Sequence, residues 1–329
     1  MLYYPREDKW SMFQGVIPSR IDVVTSCRGK LYFLSQKDKR MLQYDLYSTC
    51  WTSLPFEEEW KFCKLSVRND NEFYALVSET KPCLECERDR FHWFSSNHLP
   101  LMTLSIIKKK PESNTWDCVS SFDVGRRGGM CYVCSNNFIY FIGGTVLTNG
   151  QRRILADAER YDLNSNTWDK IADIQEPRTG DVHGAAGHRK IFIAGGYMYN
   201  DAIHLQSCEV YHEATNEWHF IASLERSSLG LSALLCVESK LYLLNGTFFS
   251  YRYEKDGVIA CYDPERNEWD EKTAIPIEMI RDKRTSIRYG AICCPVRVYK
   301  ERLNFFQNAT NDEEATREKR KERRKCAVM

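Results

Sequence analysis

Three groups of residues have types and spacing that could do chemistry. The first is Cys83-x2-Cys86-x5-His92-x5-His98. Thiolate and imidazole are zinc ligands, but this spacing matches neither a zinc finger nor a compact knuckle, so the favoured reading is a loop rich in Cys and His that holds no metal. The second is a set of arginines and hydroxyls recurring at similar intervals: Ser19-Arg20, Arg126-Arg127, Arg178-Thr179, Arg226-Ser227-Ser228, Arg284-Thr285 and Arg288-Tyr289. Guanidinium forks grip carboxylates bidentately, so the chemistry of this set is recognition of an acidic or carboxylate-bearing peptide. The same arginines have a second use, pairing with glutamates such as Glu159 and Glu209 to brace the fold. The third is the C-terminal run Cys326-Ala-Val-Met329, which matches a prenylation box with Met favouring a farnesyl group.

Upstream of Cys326, Lys319, Arg320, Lys321, Arg323, Arg324 and Lys325 place six bases in seven residues. One lipid chain holds a protein weakly, whereas a chain plus a polybasic patch anchors it stably. The expectation is a cytoplasmic protein whose tail brings it to a membrane, with nuclear import or a plain solvated tail as alternatives. No G-x-G-x-x-G, P-loop, H-E-x-x-H or G-x-S-x-G is present, so the phosphate, zinc and acyl-transfer classes lose their local signals. The chain reads as no enzyme and needs no cofactor.

Lys plus Arg (46) balance Asp plus Glu (45), leaving no global field to recruit nucleic acid. Fourteen cysteines are scattered through apolar runs such as Gly129-Met-Cys-Tyr-Val-Cys134, the usage of buried, reduced thiols. The first residues carry no apolar signal core, and no stretch approaches the length of a membrane span.

The elements that must position these residues are repeated. An aromatic is followed seven residues later by tryptophan in Tyr44…Trp51, Tyr161…Trp168, Tyr211…Trp218 and Tyr262…Trp269; Tyr3…Trp10 keeps the spacing, and Lys109…Trp116 loses the tyrosine. Upstream come apolar runs, three ending in glycine: Phe138-Ile-Tyr-Phe-Ile-Gly143-Gly144, Ile191-Phe-Ile-Ala-Gly195-Gly196 and Leu241-Tyr-Leu-Leu-Asn245-Gly246. Each is a strand whose end bends sharply or admits another backbone. Aromatics form 13% of the chain, which suits strands. Four strands per unit with turns between is the pattern of a propeller blade, and the Tyr and Trp rings are the wedges between blades.

Double glycine, Tyr-Asp pair and Trp together resemble the Kelch repeat over about residues 1–303, most closely at 125–276. The resemblance implies an all-β, six-bladed Kelch β-propeller with four antiparallel strands per blade. Full units run about 19–58, 62–122, 125–174, 177–225 and 228–276. The last blade is shared, with Tyr3–Gln14 giving its outer strands and Arg288–Cys294 and Arg297–Leu303 its inner ones. Residues 304–329 form a charged flexible tail.

Equivalent loops fall on one face around the axis. That face is expected to carry Arg20, Arg126, Arg127, Arg178, Arg226, Ser227, Arg284, Arg288 and Tyr289, with the aromatics after each glycine pair, Tyr197, Tyr199, Phe248, Phe249 and Tyr251. By resemblance to BTB-BACK-Kelch adaptors, the chain is expected to be the substrate-recognition module of a cullin-RING ubiquitin ligase. The cullin contact would be made by a BTB domain absent from this chain. The alternative is an actin or cytoskeletal scaffold.

Overall fold

The structure is a computed structural model. It describes residues 2–4, 9–11, 21–35, 38–54, 61–68, 72–80, 102–110, 113, 115–124, 127–135, 137–149, 151–198, 203–225, 233–245 and 258–272. Every regular element among them is a strand. β1 (Leu2–Tyr4) and β2 (Lys9–Ser11) form a hairpin with Tyr3 opposite Trp10. The first four-stranded antiparallel meander is β3 (Val23–Cys27), β4 (Lys30–Ser35), β5 (Arg40–Asp45) and β6 (Cys50–Leu54). The second is β7 (Lys61–Arg68), β8 (Glu72–Thr80), β9 (Met102–Lys109) and β10 (Asp117–Asp123).

In the third unit, β11 (Arg127–Gly128) precedes β12 (Cys131–Cys134) and β13 (Phe138–Ile142), and β14 (Thr145–Thr148) and β15 (Gln151–Ile154) come before β16 (Ala158–Asp162) and β17 (Thr167–Lys170). Strands β12, β13, β16 and β17 make the meander, while β11, β14 and β15 form a separate small sheet. The fourth unit runs through β18 (Thr179–Gly187), β19 (Lys190–Met198), β21 (Cys208–His212) and β22 (Glu217–Ile221), with the short β20 (Ile203–His204) paired to β19. The fifth is β23 (Ala233–Val237), β24 (Lys240–Asn245), β25 (Val258–Asp263) and β26 (Glu268–Glu271). The first, third, fourth and fifth meanders fall within the units the repeat marks out, and the second, residues 61–123, overruns 62–122 by a residue at each end.

The first strands pack on one another in chain order: β3 on β7, β7 on β12, β12 on β18 and β18 on β23. The hydrophobic cores lie between neighbouring sheets. One joins Tyr32, Leu34 and Met41 of the first unit to Phe73, Val77 and Trp116 of the second. Another joins Cys131, Tyr140 and Ile142 to Ile191, Tyr211 and Trp218 across the third and fourth. A sheet with apolar residues on both faces cannot stand alone in water, so stacking of units is obligatory.

The seven-residue Tyr-to-Trp spacing has a local cause. Tyr161, Tyr211 and Tyr262 sit directly across an antiparallel pair from Trp168, Trp218 and Trp269, with ring centroids 5.3, 5.2 and 5.3 Å apart. The connecting turn needs a left-handed residue, supplied by Asn166, Asn216 and Asn267 at φ 57°, 56° and 53°. Each asparagine Oδ1 also accepts the tyrosine hydroxyl, at 3.3, 3.0 and 2.9 Å.

Two of these asparagines clip neighbouring units together. Asn216 Oδ1 accepts the Ala172 N–H at 2.9 Å while the Trp218 indole donates to the Ala172 carbonyl at 2.9 Å. Asn267 and Trp269 repeat the arrangement on Ala222, at 2.9 and 2.7 Å.

At the third unit's glycine pair, Gly143 has φ 65° and an added Cβ would lie 2.4 Å from the Arg178 carbonyl oxygen. The Gly144 N–H donates to that same carbonyl at 2.9 Å, so close backbone approach between units is the reason for glycine here. The fourth unit corrects one expectation. Its strand does not stop at Gly195-Gly196 but continues as β19 to Met198, because Tyr197 and Met198 find ladder partners in His204 and Ile203.

Candidate partner-binding face

In a meander, the links between units and the loops after each second strand emerge at one end, and the two tight hairpins of each unit emerge at the other. Of the arginines of interest, the described ones, Arg127 and Arg178, stand at the linker end. Arg178, just before β18, is wholly buried. Its Nη2 donates to Glu209 Oε1 at 2.6 Å and to Ser207 Oγ at 3.1 Å, and its Nη1 donates to the carbonyls of Gly195 at 2.9 Å and Ser207 at 3.0 Å. Glu209, on β21, is equally buried and also accepts the N–H groups of Gln175 at 2.8 Å and Glu176 at 3.2 Å.

This corrects the placement of Arg178 on a partner-facing surface. Two charges leave water only where every lone pair and proton is met inside. Here the bracing use has won.

Arg127 holds the equivalent position in the third unit. Its Nη2 donates to the Gly143 carbonyl at 2.8 Å, the counterpart of the Arg178 bond to Gly195, and its Nη1 lies 3.8 Å from Glu159 Oε2. The pair is looser and wetter than Arg178–Glu209, with side-chain exposures of 14% and 43%. The Arg127 Nε is buried without a hydrogen-bond partner. Tyr197 is half-buried, packing over Gly180 and beside His204 at 6.1 Å. Arg20, Arg126, Tyr199, Arg226, Ser227, Phe248, Phe249, Tyr251, Arg284, Arg288, Tyr289 and Cys326 lie outside the described residues, as do Cys83, Cys86, His92 and His98.

Toward the hairpin end, all five first strands line one central cavity of about 620 Å³, through Thr25, Lys64, Val133, Gly184 and Leu235 among others. A common cavity bordered by successive innermost strands is the channel of a β-propeller. Burial pushes the thiols of Cys131 and Cys134 up to about 11, opposed by the nearby Lys64 charge. Burial, with Lys64 adding to it, pushes His183 down to about 4. Among the described residues no group of His, Cys, Asp or Glu is arranged to hold a metal, and no helix is long and apolar enough to cross a membrane.

One feature of this face escaped the reading of the repeat. At the seam between the second and third units, the Trp168 side of the blade is open where the next seams are clipped, leaving Trp168 39% exposed. A sequence signal exists. Ala172 and Ala222 follow Trp168 and Trp218 by four residues, while the same offset from Trp116 brings Ser120, and β10 is bulged between Cys118 and Ser120.

A propeller built of repeated four-stranded meanders, with loops gathered at one end, is a protein-binding scaffold. The family model for the Kelch motif matches residues 126–175 and 179–225, the third and fourth units. Among curated proteins, the chain is 29% identical to Kelch-like protein 25 of Xenopus tropicalis over 148 residues, covering 42% of this chain and 23% of that protein. It is 31% identical to human Kelch-like protein 23 over 134 residues, covering 40% and 22%. Kelch-like protein 41a of Danio rerio aligns over 280 residues at 24% identity, covering 77% and 41%. The chain thus carries a Kelch-repeat domain, and it spans well under half the length of these relatives.

Proposed function

We propose that this chain closes as a six-bladed Kelch propeller and serves as the substrate-recognition module of a cullin-RING ubiquitin ligase adaptor. The observation that supports the protein-binding part is the topology, in which five successive meanders stack through their first strands and each sends its inter-unit link and the loop after its second strand toward the same end. The Kelch-like relatives support the adaptor role. In this reading, Tyr3–Gln14 supplies the outer strands of the sixth blade, completed by residues near 288–303. Arg20, Arg126, Arg226, Arg284 and Arg288 face the substrate, and Arg178 only braces its own blade. An acidic or carboxylate-bearing segment is the ligand such a set would favour.

Two families of surface variants test this. Alanine at Arg226, Arg284 and Arg288 removes charge from the linker end, and alanine at Lys190 and Lys240 removes it from the hairpin end. Quantitative affinity capture should show one set of partners lost with the first family and kept with the second. Those partners should gain ubiquitin when the full gene product is co-expressed with a cullin scaffold. Capture that ignores the first family and collapses with the second would overturn the assignment of the face. Partners that never gain ubiquitin would overturn the ligase role.

A further inference from the structure

The open seam between the second and third blades is a hollow of about 360 Å³, floored by Phe122, Met130 and Phe141 and walled by Trp168, Arg127 and Glu159. It opens at the linker end, because β10 finishes there and β16 starts there. In the next two seams the tryptophan indole donates to an alanine carbonyl of the preceding blade. Trp168 makes ring contacts with Phe122 at 4.5 Å and Phe141 at 4.9 Å, but among the described residues its N–H has no acceptor. The Arg127 Nε, on the same hollow, is buried without an acceptor.

A buried donor without an acceptor, as at Arg127 Nε, carries a desolvation cost, and Trp168 beside it is partly exposed. We propose that this seam docks an extended peptide segment of the partner protein, with an aliphatic or aromatic side chain in the hollow and its backbone carbonyls accepting from Trp168 and Arg127. The proposal rests on the protein-binding reading and adds a second contact to it, away from the central channel. Polar complementarity selects peptide over a free anion. The half-exposed Glu159 carboxylate would repel an acidic head group but can accept a peptide N–H, and Glu159 already lies beside the guanidinium. A peptide bond offers both the acceptor and the donor that this wall needs.

The probes are blocked tripeptides, Ac-Ala-Leu-Ala-NH2 and Ac-Ala-Phe-Ala-NH2, against Ac-Ala-Glu-Ala-NH2, Ac-Ala-Ala-Ala-NH2 and sodium acetate. The readout is the Trp168 indole resonance, identified as the one missing in Trp168→Phe. The Leu and Phe peptides should shift it saturably and bind at least about fivefold tighter than the controls, since a buried apolar side chain contributes more than this factor requires. Isothermal titration calorimetry of Trp168→Phe, which lacks that resonance, should show peptide binding weakened about three- to tenfold, the value of one hydrogen bond, with the melting temperature unchanged. Equal shifts with acetate or with the Glu peptide would overturn the proposal in favour of an anion site, and no shift with any peptide would overturn it outright. Neither result touches partner capture through the linker-end arginines, so failure of the pocket and failure of the protein-binding reading are separately visible.

Discussion

Replacing Arg178 by methionine keeps most of the side-chain volume and removes the guanidinium from its buried nest. Four hydrogen bonds of 2.6–3.1 Å disappear together, to Glu209, Ser207 and Gly195. Glu209 is left as a buried carboxylate facing only the N–H groups of Gln175 and Glu176. Breaking one side of such a pair costs about 3–5 kcal/mol. For a domain of this size that lowers the melting temperature by roughly 10 °C. The double variant Arg178→Met with Glu209→Gln should lose less than the sum of the two single changes, because it removes the stranded charge while Gln still accepts from the backbone. Urea denaturation of the four proteins measures the coupling. An Arg178→Met protein that melts within about 2 °C of wild type but no longer captures its partner would refute the bracing role and return Arg178 to the recognition surface.

His183 is partly buried, with its Nε2 shut off from solvent, and is held as the neutral ring, so the unfolded chain takes up a proton between pH 6.5 and about 4 that the folded protein refuses. Stability should therefore be full above pH 6.5 and fall on acidification by up to about 3 kcal/mol, because each pH unit across that window is worth about 1.36 kcal/mol. His183→Gln should flatten that slope in parallel urea titrations. Asn216→Ala removes the acceptor of both the Tyr211 hydroxyl and the Ala172 N–H and puts alanine at φ 56°; a loss of about 2 kcal/mol is expected in chemical denaturation. Gly143→Ala sets a methyl 2.4 Å from the Arg178 carbonyl oxygen, and should destabilise by more than about 2 kcal/mol, read as a lower denaturation midpoint. An unchanged midpoint for either variant would mean that the inter-blade contacts do not limit stability.

The units were legible because their signals are local. Tyr161, Asp162, Asn166 and Trp168 satisfy one another within a single hairpin, with Asp162 accepting the Asn164 N–H at 2.7 Å, so the residue types and the spacing follow from one turn. Weaker units were still found where a local partner was substituted, as at Lys109, which stands in the tyrosine's register position opposite Phe73 and bonds the Ser113 carbonyl instead.

The candidate site was legible only in part. Repeat spacing placed Arg127 and Arg178 at the threshold of the innermost strands of the third and fourth units, since both units put the same offset at the same end. Whether such an arginine meets solvent depends on residues 31 or 32 positions away, Glu209 for Arg178 and Glu159 for Arg127, and on how tightly adjacent sheets close over the pair. The same holds for tryptophan. Trp168 and Trp218 share the repeat's Tyr, Asn, Trp and Ile-Ala positions, yet one is half-exposed and the other buried, because the backbone each would bond belongs to the preceding blade. Local hydrogen bonds wrote the repeat, and packing between repeats decided which copies became braces and which were left open.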